Sequence, residues 1–171
     1  IFIAFLPLYV DRKDIIILSV LFAVFLIASR QFNFFPGIHR VERYTWGEVY
    51  FPIGMGIAAF VFLPHDIELF QFGVLVLGIS DGVAALVGQR MGRHPIWIGK
   101  NRKSWQGSVA FFIATIFLFL GFISGYEADQ LAGVLIASIL LTLSELALVY
   151  GFDNLALPLL APIFLMMVQS L

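Results

Sequence analysis

The chain has 171 residues, 61% of them hydrophobic and 12% charged, and a mean hydropathy of +0.99. Soluble domains are closer to half apolar and a quarter charged, so the composition excludes a water-soluble globular fold. A net charge of −1 provides no global attraction to nucleic acid, and with no cysteine there is no disulfide, thiolate nucleophile or thiolate metal site.

Apolar runs cover about 1 to 10, 15 to 28, 49 to 63, 67 to 88, 107 to 125, 131 to 150 and 155 to 171. A membrane-crossing helix needs about 20 residues, within a range of about 17 to 25. The last five runs reach that length with a few interfacial residues each. The run from 15 to 28 reaches 12 to 30 when Arg12, Lys13 and Arg30 extend to the interface. The first run starts at Ile1 without methionine and reads as the remainder of a helix truncated at its N-terminus. The expectation is one all-α bundle over 1–171, polytopic, with about six to seven transmembrane helices. Runs such as FFIATIFLFL lack the two-residue alternation of a membrane β-barrel. The segment from 29 to 48 contains FFPG and suits an interfacial helix around His39 to Glu48.

Threading these spans puts 29 to 48 and 89 to 106 on one side of the bilayer, with eight of the ten lysines and arginines; Arg12 and Lys13 fall on the other. The positive-inside rule assigns the first side to the cytoplasm. Trp46, Trp97 and Trp105 map to that interface, where tryptophan anchors. His39, His65 and His94 are scattered and share no metal-ligand spacing.

Charged groups at membrane depth cost about 2.5 to 3.5 kcal/mol each on insertion scales, so each needs a reason. Asp81 lies in the cytoplasmic third of its span, and Ala84, Ala85 and Gly88 share its helical face. Gly78 to Gly82 and Gly88 to Gly92 are Gly-xxx-Gly pairs, which admit either a neighbouring helix or a ligand's phosphates. The stretch Lys100-Asn101-Arg102-Lys103-Ser104 then places three cations before a helix start, where unpaired N–H groups and the helix dipole bind phosphate. The same charges also suit a juxtamembrane cluster that sets topology or attracts anionic lipid. Glu145, followed by Gly151, Asp153 and Asn154, supplies oxygen donors near a helix break, suited to Mg²⁺; alternatively Asp153 and Asn154 cap the last helix, with Pro158 in its first turn.

Four blocks occur in order: Arg43 to Pro52 (RYTWGEVYFP); Ser80 to Ala84 (SDGVA) with Gly88 and Gly92; Lys103 to Ser108 (KSWQGS); and Glu145 with Gly151 to Leu155 (GFDNL) and Pro158. This ordered set resembles the CTP-dependent lipid-alcohol kinases, which include dolichol kinase, phytol kinase and a CTP-using diacylglycerol kinase. Gln106 stands where that family usually has glutamate, and the family's N-terminal basic, histidine-containing segment is not represented.

The resemblance implies transfer of the γ-phosphoryl group of CTP, with Mg²⁺, to the hydroxyl of a membrane-embedded polyprenol, phytol or diacylglycerol at the cytoplasmic face. It implies Asp81 and Lys103 as catalytic residues, with Asp81 orienting or deprotonating the hydroxyl. Gly88, Gly92, Lys100, Arg102, Lys103, Ser104, Gly107, Ser108 and Asn154 are then the nucleotide-binding candidates, and Asp81, Glu145 and Asp153 the magnesium ligands. Arg43, Glu48 and Gln106 form a second rank. The same arrangement is similar to the phosphatidate cytidylyltransferases, which would make a CDP-lipid and pyrophosphate instead. A reading of another class is a small transporter or membrane scaffold that uses Asp81 and Glu145 as an ion or proton relay.

Overall fold

In the computed structural model, which describes residues 1–32, 46–98 and 101–171, the apolar runs become helices and the helices account for 79% of the fold. The first ten residues do not form one straight helix. They make α1 (Phe2–Phe5) and a 3₁₀ turn (Leu6–Leu8), because Pro7 removes a backbone donor from the run. Next come α2 (Arg12–Phe32) and α3 (Gly47–Phe62). Asp14 in the first turn of α2 and Arg30 in its last complement the helix dipole.

The span around Asp81 is continuous but not uniform. It begins as α4 (Ile67–Leu75), N-capped by Asp66, whose side chain accepts the Glu68 N–H at 2.8 Å. It widens to a π-helical stretch over Val76–Asp81 and continues as α5 (Gly82–Met91). The basic loop that follows is a small antiparallel hairpin, β1 (Pro95–Ile98) and β2 (Asn101–Ser104), an addition to the expected all-α fold. Its register pairs Ile96 with Lys103 and Trp97 with Arg102. The β-branched Ile96 and Ile98 alternate with Pro95 and Trp97, the pattern of a two-faced strand. The chain then forms α6 (Trp105–Phe122), α7 (Ala128–Ala147) and α8 (Asp153–Gln169). The Lys100 position and the segment from 33 to 45, which holds Arg43 and most of the expected interfacial helix, lie outside the described residues.

Among the described residues, four helical stretches are long and apolar enough to cross a membrane: Arg12–Phe32, Ile67–Met91, Trp105–Phe122 and Ala128–Ala147. The expectation of six to seven spans is therefore met only in part. α3 and α8 are apolar but have 16 and 17 residues. At 1.5 Å per residue each is about 24 to 26 Å long, short of a hydrocarbon core of about 30 Å. Pro158 falls in the second turn of α8 rather than its first, because the helix already starts at Asp153.

α8 is the hub of the bundle, with α3, α4, α7 and the π-helical stretch packed against it. α6 lies between α5 and α7, and α2 lines the outside of α3. The core is built from fully buried aromatics and aliphatics, including Phe70, Phe111, Leu141, Leu157 and Leu165. Phe72 holds two rings of α6, with centroids 4.7 Å from Phe119 and 5.2 Å from Phe122. Leu18, Leu21 and Phe25 on α2 and Leu135, Ile139 and Leu143 on α7 are exposed, as expected of side chains that face lipid. The chain is a membrane protein, and a subset of its polar residues lines one cavity.

Candidate active site

α7 stops at Ala147, with Leu148 already extended, so the carbonyls of its last turn lack helical partners. Lys103 satisfies one of them. Its ammonium, presented by β2, donates to the backbone carbonyl of Glu145 and, at 2.6 Å, to Oε1 of the same residue. Glu145 is only 5% exposed, and its Oε2 has no hydrogen-bond partner among the described residues. The Lys103 ammonium also stands 3.9 Å from Oδ2 of Asp153 in the first turn of α8. Two acids on either side of one turn therefore meet a cation from a segment some 40 residues earlier.

Asp153 is brought there by the turn after α7. Tyr150 and Gly151 both have positive φ, at 60° and 87°. At Gly151 a side chain would also collide with the backbone of Gly47, so glycine is required there twice over. Oδ1 of Asp153 accepts the Asn154 backbone N–H at 3.0 Å and its side-chain amide at 3.3 Å, which leaves Oδ2 turned to Lys103.

These groups line a cavity of about 790 Å³. One wall is a stripe from the central span: Asp81, Ala84, Ala85, Gly88 and Gly92. β2 and the start of α6 provide Arg102, Lys103, Ser104, Gly107 and Ser108, while Glu145 and Asp153 close the far side. Sequence reasoning missed Gln89, which also lines the wall. Its offset of eight from Asp81 continues the offsets of three, four and seven on the same face, and that periodicity was the available signal.

Several expected phosphate contacts have structural tasks here. Ser104 is the N-cap of α6, accepting the Gly107 N–H at 3.1 Å, and the Ser108 hydroxyl donates to the Ser104 carbonyl at 3.4 Å. A Cβ on Gly107 would lie 2.8 Å from the Ala84 carbonyl oxygen, so this glycine sets the crossing of α5 and α6. Three other expected residues stand back from the cavity wall. Asn154 donates to the Gly151 carbonyl at 3.4 Å, Gln106 Oε1 accepts the His94 N–H at 3.4 Å, and Glu48 pairs with Arg30 at 3.6 Å. The three acids expected to share magnesium do not form a ready cage: among the described residues no group of three His, Cys, Asp or Glu is arranged to hold a metal ion. The Lys103 ammonium already stands between Glu145 and Asp153.

The chain is 30% identical over 138 residues to the phytol kinase of Synechocystis sp., a match that covers 78% of this chain. This similarity supports assignment of the chain to the lipid-alcohol kinases. It spans 59% of the length of that relative. No protein-family model matches it, and no solved structure gives a significant match. Three of the four sequence blocks contribute to the cavity wall. The described part of the first block braces the turn before α8 instead. Trp46 N–H donates to the Tyr150 carbonyl at 3.3 Å, and the Tyr50 ring stacks on Phe152 with centroids 4.6 Å apart.

Proposed function

We propose that the cavity binds the triphosphate of CTP and that the protein transfers its γ-phosphoryl group to a membrane-embedded lipid alcohol, a polyprenol, phytol or diacylglycerol. The observation that carries this reading is the convergence of Asp81, Lys103, Glu145 and Asp153 on one cavity in a relative of phytol kinase. Phosphoryl transfer depends chiefly on positioning and on neutralising charge, and this cavity holds both cations and acids. Lysine has three N–H donors. Two are engaged by Glu145, which leaves one for a phosphate oxygen, and Arg102 adds a second cation at the wall.

In the reaction the hydroxyl oxygen of the lipid bonds to the γ-phosphorus and the bond to the β–γ bridging oxygen breaks. Its electron pair leaves with CDP, and the hydroxyl proton passes to the Asp81 carboxylate. The donor set suits Mg²⁺: every candidate ligand is a carboxylate oxygen, Glu145 Oε2 lacks a partner among the described residues, and Mg²⁺ typically takes only one or two carboxylates beside water and phosphate. One or two of Asp81, Glu145 and Asp153 would hold the ion, which would supply charge neutralisation on the phosphates.

The membrane placement belongs to the same proposal. α3 and α8 also cross, making six spans, and the cavity faces the cytoplasm. The eight-to-two division of lysine and arginine between the two ends of the spans supports this orientation.

The test incubates purified protein with labelled CTP or ATP and a panel of phytol, farnesol, polyprenol and diacylglycerol. The expected products are CDP and a lipid phosphate, formed from CTP in preference to ATP, lost on chelation and regained with Mg²⁺. Pyrophosphate with a CDP-lipid would overturn the kinase reading in favour of a cytidylyltransferase. Asp81→Asn is expected to lower kcat by about 10²- to 10⁴-fold, the usual contribution of a general base. Lys103→Ala is expected to reduce turnover comparably, and near-normal turnover by either folded variant would reject the assignment of that residue.

A further inference from the structure

β2 turns to the cavity, whose wall includes Arg102, Lys103 and Ser104, whereas no residue of β1 belongs to that wall. On β1, Ile96 is half-buried and Trp97 is exposed. Trp97 is 65% exposed, and Met91 at the end of α5 and Trp105 at the start of α6 are 64% and 60% exposed. Arg90 and Arg93, at the exit from α5, are exposed beside them. On the two adjoining helices Leu86 of α5 and Val109 and Ile113 of α6 are exposed as well, the last two following Trp105 at helical spacings of four. Exposed tryptophan and methionine side chains with exposed arginines close by in the sequence have the chemistry of the membrane–water interface.

We propose that the β1 side of the hairpin, centred on Trp97, docks on anionic lipid headgroups and thereby holds β2, which carries Lys103, against the cavity. Trp97 enters the interface as an amphipathic ring, and Arg90 and Arg93 meet lipid phosphates. A shift of β2 by one residue would turn Lys103 away from Glu145, since side chains alternate faces along a strand. Lipid contact by β1 therefore fixes the strand that β2 pairs with, and with it the position of the cation. The proposal does not depend on the nature of the reaction.

The experiment uses full-length protein in which Trp46 and Trp105 are phenylalanine, so that Trp97 alone fluoresces, reconstituted in vesicles with brominated phosphatidylglycerol or brominated phosphatidylcholine. Brominated phosphatidylglycerol is expected to quench Trp97 with an apparent association roughly fivefold tighter than brominated phosphatidylcholine, about the effect of one arginine near an anionic surface. The preference is expected to fall towards unity in high salt and in the Arg90→Glu/Arg93→Glu variant. Quenching by aqueous iodide to the same extent in both vesicles would overturn the proposal. So would shielding from both iodide and bromolipid, which would mean that protein covers the face. If loss of Trp46 disturbs the fold, as judged by elution in size-exclusion chromatography, the difference spectrum between wild type and Trp97→Phe gives the same readout.

Discussion

The ammonium of Lys103 meets the end of α7 at two acceptors of one residue, the Glu145 carbonyl and Oε1. It thereby caps a helix C-terminus and neutralises a carboxylate buried in an apolar bundle, two stabilising tasks for one side chain. Removing one partner of a buried pair leaves an uncompensated charge, which costs about 3 to 5 kcal/mol. Lys103→Ala is accordingly expected to lower stability by about 3 kcal/mol in a detergent unfolding titration. Adding Glu145→Gln to that variant should recover part of the loss, because the orphaned charge is gone. Strict additivity of the two single changes would show that the pair is not coupled. Turnover measurements on Lys103 variants must therefore be normalised to folded protein.

At the scale of elements, the cavity exists because α5 and α6 come together at a glycine. The Cβ of any larger residue at 107 would press on the Ala84 carbonyl at 2.8 Å and approach Gly88 Cα at 3.5 Å. Backbone cannot give way as a flexible side chain can. Gly107→Val is expected to lower stability by about 1 to 3 kcal/mol through overpacking, read as a melting shift. Gly107→Ala should cost less, and turnover should fall with both as the walls bearing Asp81 and Ser104 separate. A melting point unchanged in Gly107→Val would contradict this crossing. The hairpin stands on the same junction, its base tied by the Trp105 N–H to the His94 carbonyl at 3.1 Å.

For the whole molecule, the claim at stake is which side the cavity faces. The chain has no cysteine, so a single introduced thiol reports its own location. His94 precedes the hairpin and His65 lies in the turn between α3 and α4, and both are exposed. His94→Cys is expected to react with an impermeant maleimide only from the cytoplasmic side, and His65→Cys only from the opposite side. Labelling of both from the same side would refute the threading.

The order of the apolar runs, the approximate ends of the helices, the small-residue face below Asp81 and the cluster of cations before α6 were legible in the sequence. Each rests on a local property: hydropathy over a window, helical periodicity or a count of charges. The break between Glu145 and Asp153 was legible for the same reason, through Gly151. The hairpin register, the π-helical stretch before Gly82, the use of Ser104 and Gly107 as cap and crossing point, and the grip of Lys103 on Glu145 were not. The Gly107 crossing and the grip of Lys103 depend on contacts between segments some 20 to 40 residues apart, Gly88 with Gly107 and Lys103 with Glu145. Periodicity tells which side chains share a face of one helix, but which face meets which is decided by the packing of all the helices around α8. Sequence alone thus placed the acids and cations at one end of a membrane bundle, and only the tertiary structure decided that they surround one cavity with Lys103 between two of the acids.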